Sequence, residues 1–213
     1  IDDLAAADGV ILVSPVFQAS YSGLFKSAMD VLPAGTLAKE FEACVAAIDA
    51  LALDELWWLV SPGNPLKENA GLPALRTRVA WSEAINDDPR VKVTAFEARY
   101  NVHYTAQTLA LVKALNPGVR FVWIMGADSL ATFHRWQGFF EIARVMPIAI
   151  IDRPGFTLTA PAARAARALA RWRLPEAQAP TLADKPAPAW VFLHGPRSTL
   201  SSTALRARTG DGA

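Results

Sequence analysis

One cysteine, three methionines, three histidines and a net charge of only +1 over 213 residues leave several classes of protein without material. The single thiol, Cys44, excludes an internal disulfide framework. With 21 Lys and Arg against 20 Asp and Glu, no general field draws the chain to nucleic acid or to an anionic membrane. Any phosphate ligand has to be held locally. The longest apolar runs, "GVILVSPVF" and "VMPIAII", fall well short of the roughly 18 residues a membrane span requires. The acidic opening "IDDLAAADG" lacks the basic flank of a secretory signal, so a cytoplasmic protein is expected. Neither His103 nor His134 has a second His, Cys or carboxylate at a metal-like spacing, and no metal site is predicted. There is no G-x-S-x-G elbow, no Walker loop and no G-x-G-x-x-G.

What the chain does have is apolar material, 52% of its residues, enough for one sizeable core. Short apolar runs at 9–16, 56–60, 119–125, 147–151 and 190–193 read as buried strands. Helix-period stretches lie between them, at 74–85 and at 106–115, where Leu109, Val112 and Leu115 are expected to share a face. A further run, "RVKVTAFEA", alternates Val91, Val93 and Ala95 with polar residues, as a half-buried or edge strand does. "PAARAARALARWRL" suggests an Arg-rich helix presenting a solvated face. Strands alternating with helices predict an α/β fold with a parallel sheet covered on both sides.

Four of the strand candidates run into polar loops that contain Gly or Pro: "SPGNPLK", "GADSLATFHRW", "DRPG" and "HGPRSTLSSTALR". In an open parallel sheet these all leave the carboxyl edge, where such folds bind ligands. Asp128 is suited to a ribose hydroxyl or to helping hold a metal, and equally to capping the helix near Ser129. Gly126 would let a ligand approach the backbone. Trp136 would stack on a heteroaromatic ring, or belong to the core of a helical "HRWQGFFEIA". Lys67, Arg153 and Arg206 are candidate phosphate partners or ordinary surface charges. Ser201, Ser202 and Thr203 read as a helix cap or, with Arg206 a turn further on, as an anion site.

The motifs "ALDELWWLVSPGNPLK", "YTAQTL", "VRFVWIMGADSLATFHRW", "IAIIDRPG" and "SSTALR" stand in the order found in bacterial nicotinate-nucleotide adenylyltransferase, which residues from about 42 to 208 resemble. The resemblance implies a Rossmann-like nucleotidyltransferase fold. It also implies a reaction in which nicotinate mononucleotide joins the adenylyl group of ATP, with Mg2+, and pyrophosphate leaves. Carried over by position, it places Thr105, Ala106, Trp136 and Gln137 on the nicotinate moiety and Gly126 and Asp128 near the riboses. Ser201, Ser202, Thr203 and Arg206 would receive the ATP phosphates, with Asn64, Lys67 and Arg153 as further substrate contacts.

The first forty residues depart from that pattern. The family opens with a strand and a loop carrying an H-x-G-H signature, and the three histidines here, His103, His134 and His194, all lie elsewhere. "ADGVILVSPVFQASYSGLFKSAMDVLPAGTL" instead resembles part of the NADPH-dependent FMN reductases, which are flavodoxin-like. That resemblance makes Pro15, Ser20, Tyr21, Ser22 and Gly23 flavin-contact candidates and FMN an alternative cofactor. The structural alternative is that a strand at 9–16 and a helix at 22–32 replace the transferase's own opening β-α segment. The expected organisation is therefore a flavodoxin-like fragment over 1–40, an adenylyltransferase-like domain over 41–208 and a tail over 209–213. Without the H-x-G-H pair, adenylyl transfer is expected to be weak or absent. A non-catalytic nucleotide-binding module is the remaining alternative.

Overall fold

In a computed structural model the described residues are 10–13, 34–62 and 73–194. Seven strands form one sheet: β1 (Val10–Val13), β2 (Glu55–Leu59), β3 (Val91–Thr94), β4 (Phe121–Gly126), β5 (Ile148–Ile151), β6 (Arg173–Leu174) and β7 (Trp190–Leu193). Their order across the sheet is β3-β2-β1-β4-β5-β7-β6, and every pairing is parallel. The connections carry α1 (Ala34–Leu51), α2 (Leu75–Ile85), α3 (Phe96–Arg99), α4 (Thr105–Leu115), α5 (Ala127–Thr132), α6 (Phe139–Val145) and α7 (Arg164–Ala168). Both faces of the sheet are covered, as an all-parallel sheet requires.

Side-chain alternation divides the core in two. Trp57, Leu59, Phe121, Trp123, Met125, Ile148, Ile150, Trp190 and Phe192 face one layer, packed with Leu109 and Val112 of α4 and Ile142 of α6. Leu56, Trp58, Val122, Ile124, Ala149, Val191 and Leu193 face the other, packed with Phe41, Ile48 and Leu51 of α1. Continuous apolar strands are what burial on two faces demands, and this is why the runs were legible as strands. β3, with Val91 buried and Lys92 exposed, lies at an edge of the sheet, in line with its alternating pattern. β1 is inserted at the centre: Val10 is level with Glu55 and Phe121, and Val13 with Trp58 and Ile124.

Several local expectations are corrected. Leu115 does not share the buried face of Leu109 and Val112 but is 47% exposed, because α4 ends there and the chain turns away at Asn116. The edge strand stops at Thr94, and Ala95 is already the N-cap of α3. The Arg-rich helix is only Arg164–Ala168. A single 3-10 turn follows, and Arg173–Leu174 then pair with Trp190 and Val191 as the edge strand β6, with Pro175 next in the chain. Trp136 is outside any helix; it follows a 3-10 turn at Phe133–Arg135 in extended conformation. The expected helix at 22–32 lies outside the described residues. α1 is continuous across positions 40 and 41.

Candidate active site at the carboxyl rim of the sheet

Parallel strands deliver their carboxyl ends to one rim. In register, Gly126 of β4 lies beside Ile151 of β5, and Ile151 beside Leu193 of β7. The next residues are Asp128 on α5, Arg153 after β5 and His194 after β7. Strand order reverses between β1 and β4, which is where an open α/β sheet parts its loops and leaves a ligand crevice.

Gly126 is the N-cap of α5, and Asp128 sits in the helix's first turn without capping it through its side chain. The capping alternative for Asp128 is thereby set aside. Its carboxylate turns back over the strand end, with Oδ1 3.2 Å from Arg153 Nε, in a pair whose side chains are about one quarter and one third exposed. A Cβ at Gly126 would collide with both Asp128 Oδ1 and Arg153 Nε, so the glycine is what lets the pair lie across the end of β4. Arg153 is presented by a tight turn. The Phe156 N–H donates to Arg153 O at 2.9 Å, with Pro154 and Gly155 (φ 88°) between them, the Pro-Gly arrangement of a type II turn. Asp152 is tied to the sheet by its own N–H, which donates to Leu193 O at 2.8 Å, and its Oδ2 accepts from Thr157 at 2.9 Å.

Thr105 and Ala106 open α4. Thr105 is buried, and Ala106 packs on the same apolar layer as Trp136. A Cβ at Gly138 would stand 3.6 Å from Ala106 Cβ, so the Gly138 backbone lies against the start of α4. Gly138 has φ 70° and caps α6. The Trp136 ring meets Phe133 edge-on, centroids 5.3 Å apart, and its Nε1 is buried with no hydrogen-bond partner among the described residues. Gln137 beside it is exposed. Thus Thr105, Ala106, Trp136 and Gln137 form one group, and Gly126, Asp128 and Arg153 another on the neighbouring strand ends.

Asn64 and Lys67, the hydroxyl run Ser201, Ser202 and Thr203 with Arg206, and the flavin candidates Pro15, Ser20, Tyr21, Ser22 and Gly23 lie outside the described residues. His194 is described: its N–H donates to Glu176 Oε1 at 2.7 Å and its Nδ1 lies 2.6 Å from Glu176 Oε2. Burial holds His134 below the usual imidazole range, helped by Arg135 and Arg164.

Two charged side chains that sequence reading did not single out take structural positions near the rim. Glu97 in α3 is 3% exposed; its Oε1 accepts from Thr108 Oγ1 at 2.9 Å, and its carboxylate accepts from the Ser61 hydroxyl. Burial pushes its carboxyl above the ordinary range, opposed by these hydrogen bonds and by His103. Arg78 in α2 donates to Ser61 O (2.6 Å), Pro62 O (3.3 Å) and Pro73 O (3.0 Å). Their trace in the sequence is a charge with another two residues away, Arg76 beside Arg78 and Arg99 beside Glu97, and that pattern is also common at solvated faces.

A parallel, doubly covered sheet that reverses order at β1/β4, with polar turns gathered at its carboxyl rim, is the architecture of the Rossmann-like nucleotidyltransferases. Residues 44–208 match the family described as cytidylyltransferase-like, and residues 1–53 match NADPH-dependent FMN reductase. Relatives from Methylorubrum extorquens and Brucella suis both carry the name "Probable nicotinate-nucleotide adenylyltransferase". The first is 60% identical over 162 residues, 76% of this chain and 88% of the relative; the second is 58% identical over 160 residues, 75% and 82%. The solved Plasmodium falciparum nicotinic acid mononucleotide adenylyltransferase, complexed with NaAD, shares the fold at TM-score 0.60 and 13% identity, covering 94% of this chain and 83% of that one. The chain belongs to the nicotinate-nucleotide adenylyltransferase family of nucleotidyltransferases. The match to FMN reductase runs to residue 53, the far side of α1, and overlaps the transferase match over 44–53. The central strand β1 is thus contributed by the reductase-like segment.

Proposed function

We propose that this chain binds nicotinate mononucleotide and the magnesium complex of ATP at the carboxyl rim, and that its adenylyl transfer is strongly impaired. The identity of 60% over 162 residues to a relative named for the reaction carries the substrate assignment. The geometry supports it. Gly138, next in the chain after Trp136 and Gln137, lies against Ala106, and this neighbourhood offers an aromatic face, a buried indole N–H in need of an acceptor, and the amides at the start of α4 to meet a flat ring with a carboxylate. Gly126, Asp128 and Arg153 lie at the adjoining strand ends, where riboses and phosphates would pass. Asn64 and Lys67, and the Ser201, Ser202, Thr203 and Arg206 run, complete the proposed set as phosphate contacts.

The reaction needs no protein nucleophile. A phosphate oxygen of the mononucleotide forms a bond to the α-phosphorus of ATP, the bond from that phosphorus to the bridging β-phosphate oxygen breaks, and pyrophosphate leaves. The protein's part is to align the two phosphates and to neutralise charge that builds on the α-phosphoryl oxygens. Magnesium arrives with the nucleotide, and Mg2+ typically keeps several waters and relies on substrate phosphates with one or two carboxylates.

Impairment is proposed from the segment that follows β1. The strand stands beside the switch point, and residues 14–33 that continue from it contain no histidine. Loss of one preorganised charge-stabilising donor lowers turnover by about 10² to 10³. Calorimetric titration should therefore show mononucleotide binding, while pyrophosphate release stays at least about 10²-fold below that of the Brucella relative. Ordinary turnover would sink the impairment. A yellow purified protein with flavin fluorescence would favour FMN chemistry at the reductase-like segment instead. The biosynthetic role proposed here places the protein in the cytoplasm; among the described residues no helix is long and apolar enough to cross a membrane.

A further inference from the structure

An ionisable carboxylate is seldom fully buried, because it must exchange hydration for a few fixed hydrogen bonds. Glu97 does so in a particular place. It lies just beyond the edge strand β3, on the four-residue helix α3, and its backbone carbonyl accepts from the Val102 N–H at 3.0 Å, closing the turn that leads to α4. Its side chain receives one hydroxyl from Thr108, in the first turn of α4, and one from Ser61, where the chain leaves β2. Thr108 Oγ1 also stands 3.3 Å from Tyr104 O, so the bond to Glu97 is made inside the turn that begins α4. Ser61 is held from its other side as well. Arg78 takes its carbonyl and, with the same guanidinium, the carbonyls of Pro62 and Pro73, which flank residues 63–72. One chain of bonds therefore runs from Arg78 through Ser61 and Glu97 to Thr108.

The acid and its two hydroxyl partners could be replaced together by apolar residues of similar volume at little cost to stability, so the network is kept for what it positions. One end of the network borders the proposed substrate site: Thr108 lies in the first turn of the helix opened by Thr105 and Ala106, while Ser61 follows the end of β2. We propose that Glu97 is a positioning residue for the mononucleotide site, its carboxylate locking the chain that leaves β2 to the first turn of α4 so that Thr105 and Ala106 keep their place against the Gly138 backbone that follows Trp136. The inference rests on the reading that this group binds nicotinate mononucleotide. Arg78 is its counterpart, fixing the backbone of Ser61 while Glu97 fixes the side chain.

The test combines calorimetry with amide hydrogen exchange on the full chain and on four variants. Glu97→Ala removes the acceptor that Ser61 and Thr108 share; Thr108→Val and Ser61→Ala each remove one bond and leave the carboxylate in place. Glu97→Gln can still accept from Thr108 and donate to Ser61. The expected result is about tenfold weaker mononucleotide binding in Glu97→Ala and several-fold weaker binding in each single-bond variant, with Glu97→Gln close to the parent. ATP binding should stay within about twofold throughout, and exchange should quicken at the amides of 104–108. If Glu97→Ala does not fold, the Thr108→Val and Ser61→Ala pair still decides the matter. Unchanged mononucleotide binding in those variants, or a parallel loss for both ligands, overturns the role. If the parent chain itself binds no mononucleotide, the substrate reading falls and takes the role with it, while the exchange data separately report whether the carboxylate locks the two segments.

Discussion

At the scale of single residues, the rim is built from close approaches that leave little slack. Gly126→Ala places a methyl where Asp128 and Arg153 now meet across the strand end. The expected cost is about 1–3 kcal/mol of stability, read by thermal or denaturant unfolding, with the ion pair displaced. Trp136 gives the opposite kind of prediction. Its indole N–H is buried without a partner among the described residues, so Trp136→Phe should cost the ligand-free protein little stability. If a ligand oxygen supplies the missing acceptor, the same change weakens mononucleotide binding by about tenfold; equal affinity would remove Trp136 from the site. Glu97 allows a test by pH. Burial raises its carboxyl above the reference value of 4.5, so the folded chain holds that proton more tightly than the unfolded one. The associated stability is fully present below pH 4.5 and is lost as pH rises through the raised value. Glu97→Gln has no such loss, and its melting temperature relative to the parent should be higher in neutral buffer than at about pH 4. At this scale the sequence was legible where a polar side chain directly follows a strand end, as at Asp128. It was not legible where partners were distant along the chain: Arg78 and Ser61, or Glu97 and Thr108, meet only once β2, β3 and α4 are assembled.

Among elements, the strands were the most readable because burial on both faces leaves them uniformly apolar, and Trp57, Trp58 and Leu59 are all buried although they point to alternate layers. Helix ends were less so. Leu115 keeps the helical period and yet is exposed, since period alone does not say where α4 stops. The aromatic run around Trp136 reads as one helix, but Gly138, at φ 70°, divides it into a 3-10 turn and α6. That break sets Gly138 against Ala106, so the misread boundary and the candidate site coincide. α1 carries a prediction of its own. Ile48 is fully buried beneath the sheet in the stretch matched by both families. Ile48→Ala should cost about 2–5 kcal/mol, seen as a lower denaturant midpoint at unchanged slope. A cost below about 1 kcal/mol would show that α1 does not pack as the sheet implies.

For the molecule as a whole, the decisive fact is the place of β1. Strand order is not readable from composition or periodicity, and here it puts the four residues Val10–Val13 between β2 and β4 in the middle of the sheet. Removing residues 1–33 would strip two inner strands of their hydrogen-bonding partners and open two unpaired edges. The shortened chain should be found in aggregates or as a species with no cooperative melting; a soluble, cooperatively folding product would mean that β1 is dispensable.

The insertion of β1 also separates two properties that usually travel together. A parallel strand qualifies for its slot by main-chain hydrogen bonds and an apolar character that many sequences satisfy, whereas a transition state tolerates no such substitution in the loop that follows. Architecture and chemistry can therefore come from different parts of the amino-terminal segment. Seen that way, the chain is a ready recipient for a transplant: if the proposed impairment holds, replacing residues 14–33 with the H-x-G-H loop of a relative should raise pyrophosphate release by at least about 10²-fold while mononucleotide affinity stays the same.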